Sequence, residues 1–414
     1  MKSTSIQKKS SLFSIFFTFA VESLGATVVY PIFAPLFLNP EQGLFDKGTL
    51  LSYKAAMLGF FLGVFPLMQF LFSPVLGEYS DHYGRKKALI CTTFLTFAGY
   101  MVSAFSIYHR SLAFIFIGRI IMGIGAGNLS ICLSSLSDLS ANVKKRVRYF
   151  SYGSATVGLT FILGPFVGGK LSDPTLNPLF GPSFPMTIGT VLACINCIFI
   201  LFAFKETLTT VSMKPFNFIK GFQNIKLVFK MKAIKTLYLI YFFYLFSWNI
   251  IFLFVPAFAV QNFKLSNSEI GNVCALLGIF WILGTALLHR VLNMFFSSKK
   301  VLLFAFLLFA IIIPFAPNMH RLQSFIAILA LCTLISGLIW PFCTAAISNA
   351  APPNFQGKVL GLSQSVFSLT MMIASFIGGF SLRAHGKTPF ILASISSLIA
   401  GAILLRVKTS QKTT

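Results

Sequence analysis

Twelve long apolar runs limit what this sequence can fold into. A helix that crosses a lipid bilayer needs about 20 mostly apolar residues. Runs of about that length lie at residues 11–38, 50–74, 88–108, 112–137, 150–171, 183–204, 236–260, 268–291, 300–317, 322–345, 357–382 and 388–406. Lipid cannot hydrogen-bond the backbone, so such runs must be helices or strands of a closed barrel. They are too continuously apolar for barrel strands, which alternate. We therefore predict an all-α membrane protein with twelve transmembrane helices.

The composition supports a membrane protein and argues against nucleic-acid binding. Charged residues make up 10% of the 414 residues and hydrophobic residues 56%, whereas soluble proteins carry about 25% charged residues. The net charge of +24 could indicate a nucleic-acid partner. However, the basic residues lie in short clusters between the apolar runs and form no continuous basic face. We expect the lipid bilayer, and no nucleic acid, as the partner of this surface.

The basic residues also predict the orientation of the chain. If the N-terminus is cytoplasmic, 24 of the 33 lysines and arginines fall in inner segments and 8 in outer segments. Cytoplasmic loops are enriched in lysine and arginine, so we expect both termini in the cytoplasm. The first apolar run is longer than the core of a signal peptide, about 7–15 residues, and we interpret it as the first membrane helix.

The longest polar stretch divides the chain into two halves. It predicts an N-terminal six-helix bundle over 1–204, a cytoplasmic basic linker over 205–235 and a C-terminal six-helix bundle over 236–414. Phenylalanine and isoleucine alternate with lysine in the linker, which suits a segment on the anionic inner leaflet. A plain solvated linker fits the pattern equally well. Two such bundles are the architecture of many secondary transporters.

The sequence carries no pattern typical of an enzyme or a metal site. It has no P-loop, no zinc-ligand spacing and no G-x-S-x-G. Cys194 and Cys197 form a C-x-x-C, but no second pair or histidine accompanies them. We interpret the seven cysteines as small apolar residues of helices. We therefore expect a protein that is not an enzyme and that needs neither a metal nor a cofactor.

A glycine-rich basic motif follows the second apolar run. Its residues are Gly77-Glu-Tyr-Ser-Asp81-His-Tyr-Gly84-Arg85-Lys86-Lys87. The two glycines permit a tight turn and close helix approach, and the Asp81 carboxylate could cap the N-terminus of another helix. A simple basic turn at the inner surface is the alternative.

This motif resembles the G-x-L-A-D-R-x-G-R-K pattern of the major facilitator superfamily. The preceding LMQFLFSPVLG, with Gln69 and Pro74, is similar to the drug/proton antiporter branch that includes the tetracycline exporters. Tyr79, Ser80 and His82 depart from the pattern. The resemblance spans essentially the whole chain and implies the major facilitator fold, in which two six-helix bundles alternately open a central site to each side.

The resemblance also implies a latch at the inner end of the first bundle. Its residues would be Gly77, Asp81, Gly84, Arg85, Lys86 and Asp138. Arg85 would pair with Asp138 at the inner end of the fourth helix. Asp81 would pair with the start of the eleventh helix, near Gln356–Lys358. Such a cluster would close the inner gate when the carrier faces outward.

The fifth helix carries a second motif, Gly164-Pro165-Phe-Val-Gly168-Gly169. It resembles the antiporter signature G-x-x-x-G-P-x-x-G-G, with Thr160 in place of the first glycine. A proline flanked by glycines predicts a kink or hinge in a closely packed helix. Simple helix packing is the alternative, and the two are compatible.

Glu22 is the one acid of nine that lies deep within an apolar run. It is about 16 Å from the start of its helix at 1.5 Å per residue, near the middle of a core about 30 Å thick. The same rule places Arg119 about 10 Å from the outer surface, within reach of Glu22. Buried ionisable groups in membranes are functional candidates, so we predict that Glu22 and Arg119 couple transport to protons.

Structural alternatives exist for both residues. Glu22 could be a neutral acid bonded to a hydroxyl, and Arg119 could bind backbone carbonyls. Tetracycline-type exporters have an acid at the place of Glu22, followed by glycine and proline at the spacing of Gly25 and Pro31.

Several polar and aromatic residues of the predicted helices could line a central cavity. They are Gln69, Trp248, Asn249, Asn272, Trp340 and Gln364. A cavity that is rich in aromatic rings and poor in charge suits an amphipathic, drug-sized ligand.

These patterns together favour a monomeric carrier in a bacterial inner membrane that works by alternating access. We expect proton-coupled export of an amphipathic small molecule. Proton-coupled import of a metabolite or a siderophore-like ligand is the second hypothesis. A transporter-like receptor or scaffold without flux is the third.

The charge asymmetry predicts which side of the membrane holds the linker. In an otherwise cysteine-free variant, we expect Asn217→Cys to react with an impermeant thiol reagent only after the cells are permeabilised. Asn177→Cys, in a predicted outer loop, should react in intact cells and serves as the control. Labelling of Asn217→Cys in intact cells would contradict the orientation.

Overall fold

The computed structural model describes residues 2–39, 43–46, 48–140, 142–208, 232–350, 356–382 and 386–407. Over these residues the chain is helical and contains no strand. Twelve helices are long and apolar enough to cross a membrane. The predicted fold class and number of spans are confirmed.

The spans are named α1 to α12 in chain order, and a divided span carries letters. They are α1a (Lys2–Thr27), α1b (Tyr30–Leu38), α2 (Leu51–Tyr83), α3 (Arg85–Tyr108), α4a (Leu112–Gly125), α4b (Asn128–Asp138), α5 (Val143–Leu171), α6 (Phe184–Phe202), α7 (Lys232–Phe263), α8 (Asn267–Leu283), α9 (Ser298–Ile312), α10 (Leu322–Asn349), α11 (Gln356–Ser381) and α12 (Thr388–Arg406). A π-helical turn over Gly284–Leu288 and a short helix over His289–Phe295 follow α8, and a 3-10 turn over Ile313–Asn318 follows α9.

The turn after α2 is short and depends on Gly84. Helix α2 continues through Gly77 and ends only at Tyr83. Gly84 then makes the whole turn, with a φ of 97° that side chains rarely adopt. Gly77 is helical, so Gly84 alone of the two glycines makes the turn.

Two predicted helices are interrupted near their middle. The first span breaks at Val28 and Val29, and the fourth breaks at Ala126 and Gly127. Periodicity alone cannot show such breaks, because both interruptions keep their apolar character.

The helices pack into two compact units. The first consists of Met1–Gly48, Val64–Gln223 and Leu265–Ala275, and the second of Thr49–Gly63, Asn224–Lys264 and Leu276–Thr414. The start of α2 belongs to the second unit and the start of α8 to the first. The bounds of the two halves stay a prediction. Residues 209–231 of the predicted linker lie outside the described residues.

In the first unit, polar contacts tie α1a to α6 at one-turn intervals. Ser10 Oγ donates to the Ala203 carbonyl at 3.0 Å, and Thr18 Oγ1 donates to Asn196 Oδ1 at 3.0 Å. An apolar cluster lies beside this seam. Its buried members are Ile15, Phe19, Leu76, Ala88, Leu89, Ile131, Cys132, Leu136, Ile200 and Phe204. Along α3 and α4b, the cluster lies between Arg85 and Asp138 at one end and the level of Glu22 further in.

In the second unit, α7 is the central helix, and side chains along almost its whole length are buried. Its hydroxyls reach three neighbouring helices. Tyr238 Oη donates to the Val359 carbonyl of α11 at 2.5 Å, and Tyr244 Oη donates to the Ser336 carbonyl of α10 at 2.8 Å. Ser247 Oγ donates to the Ala393 carbonyl of α12 at 2.7 Å.

Candidate functional site

The Glu22 carboxyl group is buried in the first unit and is held by two neutral donors. Glu22 is 5% exposed. Thr96 Oγ1 of α3 and Asn128 Nδ2 of α4b each donate to its Oε1 at 2.6 Å. Hydrogen bonds of this kind favour the carboxylate, whereas burial disfavours the charged form of a carboxyl group. Hydrogen bonding and burial therefore have opposite effects on the charge of Glu22.

The interruption of the fourth span puts Asn128 beside Glu22. A Cβ on Gly125 would lie 2.6 Å from Thr96 Oγ1, and one on Gly127 would lie 2.6 Å from a methyl group of Leu76. The glycines thus let α4 run against both α2 and α3. Gln69 Nε2 donates to the Ala126 carbonyl at 3.3 Å and satisfies this acceptor at the break. Gln69, predicted as a cavity residue, is buried at the helix break.

Arg119 is fully buried in α4a, and its guanidinium carbon lies 4.5 Å above the centre of the Phe65 ring. Tyr100 of α3 is close enough to interact electrostatically with both Glu22 and Arg119. The Tyr100 hydroxyl donates to the Val21 carbonyl at 3.3 Å. The predicted pair therefore lies in one region together with a tyrosine. The sequence analysis missed Thr96, Asn128 and Tyr100. Of these three residues, only Asn128 could have been found from the sequence, because its amide directly follows the glycines of the fourth helix.

The helix-5 motif packs against the break in the first span. A Cβ on Gly164 would collide with Thr27, and one on Gly168 would lie 2.8 Å from the Val28 carbonyl oxygen. Thr27 Oγ1 donates to the carbonyl of Thr160 at 3.0 Å. Pro165 lies within a continuous helix. The motif thus packs α5 closely against the break between α1a and α1b, and its role as a hinge stays a prediction.

A charged cluster joins the ends of α2, α3 and α4b. We call its residues Ser80, Asp81, Arg85 and Asp138 the Arg85 cluster. The Arg85 guanidinium donates to Asp81 Oδ1 at 2.5 Å, to Ser80 Oγ at 2.6 Å and to Asp138 Oδ2 at 3.2 Å. The predicted contact between Arg85 and Asp138 is present. Arg85 is buried, whereas the Asp81 side chain is half exposed.

Glu206 completes this end of the unit and was missed by the sequence analysis. Its carboxylate accepts hydrogen bonds from the backbone N–H groups of Arg85 and Lys86, both at 3.0 Å. It therefore caps the N-terminus of α3, where a negative charge is favourable. A Cβ on Gly84 would lie 2.5 Å from Glu206 Oε2, so glycine is required there for space as well as for φ. Of the predicted latch, Lys86 contributes its backbone here. The predicted partner of Asp81 cannot be placed, because the side chains at Gln356–Lys358 lie outside those described.

The polar and aromatic residues predicted for a cavity take different places in the second unit. Trp340 is the centre of an aromatic cluster, with ring centroids 5.8 Å from Tyr241, 5.9 Å from Trp281 and 6.3 Å from Phe367. The π-helical turn follows Trp281 directly, and Thr285 Oγ1 donates to the Gly337 carbonyl of α10 at 2.9 Å.

The remaining predicted cavity residues are only partly grouped. Trp248 stacks on Phe252 and lines a narrow cleft, and Asn249 Nδ2 donates to Thr370 Oγ1 at 3.3 Å. Gln364 is half-buried. Asn272 is exposed, one turn before the exposed Leu276 of the same helix face.

The far end of α5 is joined to the start of α8. Asp173 Oδ2 accepts a hydrogen bond from the Ser268 backbone N–H at 3.1 Å, and Asn267 Nδ2 donates to the Ser172 carbonyl at 3.1 Å. We call these four residues the α5–α8 clasp. Beside it, a Cβ on Gly169 would lie 2.8 Å from the α-carbon of Gly271 in α8, so the two backbones touch.

Asp173 in the clasp is charged at ordinary pH. Burial opposes its charge, but hydrogen bonds from Thr175, Ser266 and the backbone N–H groups of Ser268 and Thr175 outweigh burial and hold its pKa below the usual range. Asp173 lies outside the twelve spans. Its carboxylate therefore acts as a fixed negative charge at the positive N-terminus of α8.

Comparison with known proteins decides the family. The model of the Major Facilitator Superfamily matches residues 15–294 and 237–414. The chain belongs to the Major Facilitator Superfamily. It is a transporter and not an enzyme, as predicted.

Two full-length relatives of this facilitator are resistance proteins. The chain is 25% identical to the tetracycline resistance protein, class H, of Pasteurella multocida, over 97% of this chain and 98% of the relative. It is 22% identical to multidrug resistance protein 2 of Bacillus subtilis, over 95% of this chain and 94% of the relative.

Solved facilitators share the fold at lower identity. A D-xylose–proton symporter superposes with a TM-score of 0.73 at 17% identity, covering 98% of both chains. The human organic anion transporter MFSD10 superposes with a TM-score of 0.70 at 19% identity, covering 96% of this chain and 99% of that one. These structures confirm the fold and nothing more.

The Arg85 cluster should protect the buried thiol of Cys132, which lies in the apolar cluster behind it. Arg85→Ala removes hydrogen bonds to charged groups, each of which contributes about 1.5–3 kcal/mol. We expect Cys132 in the purified protein to be alkylated at least about tenfold faster, equivalent to about 1.4 kcal/mol. Mass spectrometry resolves the cysteines.

Two controls accompany the alkylation measurement. Lys87→Ala removes a neighbouring exposed charge and should leave Cys132 protected. Cys274, buried in α8, should react at the wild-type rate in both variants. Equal rates at Cys132 in Arg85→Ala and wild type would show that the cluster does not close this end.

The α5–α8 clasp predicts a dependence on pH. Asp173→Ala should lower the free energy of opening of the α8 start by about 0.5–2 kcal/mol, the usual effect of losing a helix cap. Because the folded pKa of Asp173 is lowered, its contribution is present above the ordinary value of about 3.9 and is lost as pH falls through the folded value. Wild type and variant should therefore differ at neutral pH and converge only in strong acid.

Hydrogen exchange of the amides at 266–270 and 172–176 measures this opening. Asp173→Ala should speed exchange in both segments. The control Glu269→Ala breaks only the local cap, in which Glu269 Oε2 accepts from the Ser266 N–H at 2.9 Å, so it should affect 266–270 alone. Unchanged exchange in Asp173→Ala would show that the clasp is weak.

Proposed function

We propose that this facilitator exports an amphipathic small molecule in exchange for protons, by alternating access in a bacterial inner membrane. The observation that carries the proposal is Glu22, a buried carboxyl group held by the neutral donors Thr96 and Asn128. Both termini would lie in the cytoplasm, and the bundles predicted over 1–204 and 236–414 would be the moving parts. The protein would act as a monomer.

The position of the acids supports Glu22 as the proton carrier. All nine acidic residues fall within the sequence ranges of the first unit, and the ranges of the second unit contain none. The other acids of the described residues lie in the Arg85 cluster, the α5–α8 clasp or the segments near the helix ends. A carboxyl group that exchanges protons deep in the membrane is therefore Glu22 or none.

The neighbours of Glu22 suggest how its proton would be exchanged. Burial favours the neutral acid, and the donors Thr96 and Asn128 favour the carboxylate. Each donor sits on a different helix from Glu22. A conformational change that moves α1, α3 or α4b relative to one another would change this balance and so take up or release a proton.

The second unit supports an aromatic, weakly charged substrate. The partly exposed rings of Trp340, Trp281 and Phe367 would offer stacking surfaces and few charges, which suits an amphipathic ligand. The names of the two resistance proteins favour export over import. Export would therefore be of compounds like tetracycline, which we choose as the first probe.

Replacing Glu22 tests proton coupling. In proteoliposomes with an imposed pH gradient, we expect Glu22→Gln to lose concentrative transport of tetracycline but to retain exchange down its gradient, because binding and the conformational cycle need no proton on this side chain. Glu22→Asp, which keeps the carboxyl group, should retain part of the accumulation. Wild-type accumulation by Glu22→Gln would rule out Glu22 as the coupling residue.

The sign of the pH gradient decides between export and import, whichever way the protein is inserted. An antiporter accumulates tetracycline when the vesicle interior is acidic, whereas a symporter does so when the exterior is acidic. Accumulation with an acidic exterior would favour the importer. Tetracycline binding without flux under either gradient would favour a receptor.

A further inference from the structure

The Asn128 side chain has one satisfied end and one unsatisfied end. The residue is 0% exposed. Its Nδ2 donates to Glu22 Oε1 at 2.6 Å, but within the described residues its Oδ1 has no hydrogen-bond partner. A buried polar atom without a partner is rare and calls for an explanation.

A second protonation state of Glu22 would use that unsatisfied oxygen. The two ends of an asparagine amide have nearly the same shape, so rotating the amide by half a turn exchanges donor and acceptor. Nδ2–H suits a carboxylate, which only accepts hydrogen bonds. Oδ1 suits a protonated acid, which has an O–H to donate. Thr96 is also adaptable, because a hydroxyl can donate or accept.

We propose that Asn128 is the positioning residue of the proton site, and that its amide turns to hold Glu22 in either protonation state. The proposal rests on the proposed role of Glu22 as proton carrier. On protonation, the new O–H bond of Glu22 is donated to Asn128 Oδ1. On release, the proton leaves Glu22 for solvent, and the amide returns Nδ2–H to the carboxylate. No bond of the amide is made or broken.

Because α4 is interrupted, the contact between Asn128 and Glu22 depends on the position of α4b. Asn128 is the first residue of α4b, so its side chain follows any shift of α4b against α1a. A shift of α4b would therefore remove a donor from Glu22.

Other titratable groups that face this site must be considered in any pH measurement. They are Tyr100 on α3, Arg119 and Cys132 on α4, and Cys197 on α6. Arg119 is present in every variant, and the tyrosine and the thiols are neutral at ordinary pH. A change confined to Asn128 variants is therefore a change in the amide contact.

The chain offers a matched control in Asn196. This asparagine is also buried, at 1% exposure; its Oδ1 accepts from Thr18 Oγ1, and its Nδ2 has no hydrogen-bond partner among the described residues. It differs from Asn128 in having a hydroxyl and not Glu22 as its partner. Asn196→Leu therefore repeats the loss of a buried amide that is not bonded to Glu22.

Infrared difference spectroscopy of the purified protein, titrated with acid and base, tests the proposal without any substrate. The carboxylic acid band that Glu22→Gln removes belongs to Glu22. We expect Asn128→Leu to move the midpoint of this band upward by about one pH unit, a tenfold change, because the carboxylate loses a charge-assisted hydrogen bond. Thr96→Val should move it in the same direction, and Asn196→Leu should leave it in place.

The same spectra test the turning of the amide. A side-chain amide band that changes with the Glu22 titration should be present in wild type and in Asn196→Leu, and should be absent in Asn128→Leu. If Asn128→Leu does not fold, Asn128→Ala gives the same readouts without added bulk.

The outcomes separate this proposal from the proposed function. An unshifted midpoint in the Asn128 variants, or equal shifts in Asn128→Leu and Asn196→Leu, overturns the positioning role. A shifted midpoint without the amide band overturns the turning of the amide. If Glu22→Gln still accumulates tetracycline, the proposed coupling fails, but the infrared result at Asn128 stands or falls by itself.

Discussion

The absence of water from the bilayer core is the constraint on which this structure depends. The backbone polar groups there must find partners within the protein. The helices satisfy their own backbone, and the exceptions occur where a side chain substitutes. Gln69 satisfies the carbonyl of Ala126 at the break in α4. The same constraint makes Glu22 and its donors a site, since an unpartnered charge would not remain at that depth.

In the first unit, the Arg85 cluster and the α5–α8 clasp are separate from Glu22, the acid proposed to gain and lose a proton. The Arg85 cluster precedes α5 and the α5–α8 clasp follows it, so the two lie at opposite ends of that helix. Between these ends lie Glu22 and its neutral donors. Asp173 keeps its charge at ordinary pH, because hydrogen bonds hold its pKa low. Charges at the helix ends can stabilise one arrangement of the helices, while the buried carboxyl group can respond to a change in that arrangement.

Glycines make these contacts possible, because they bring backbones closer than side chains allow. Gly125 and Gly127 bring α4 against α3 and α2. Gly164 and Gly168 allow α5 to pack against the break in α1. The two motifs that resemble family patterns therefore act mainly through geometry. They place polar side chains that lie outside the motifs, such as Asn128 and Glu206, where these can meet a charge or a helix end.

The sequence by itself determined the number of spans and the all-α class, and it singled out Glu22 as the acid that lies deep within an apolar run. These properties follow from the length and polarity of single segments, which are local. It also indicated the contact between Arg85 and Asp138, through a family motif. Only the tertiary structure decided the partners of Glu22, the cap that Glu206 places on α3 and the clasp at Asp173. Those contacts depend on the rotation and depth of each helix against its neighbours and on the breaks at Val28 and Gly127, which the apolar pattern of a single segment does not encode.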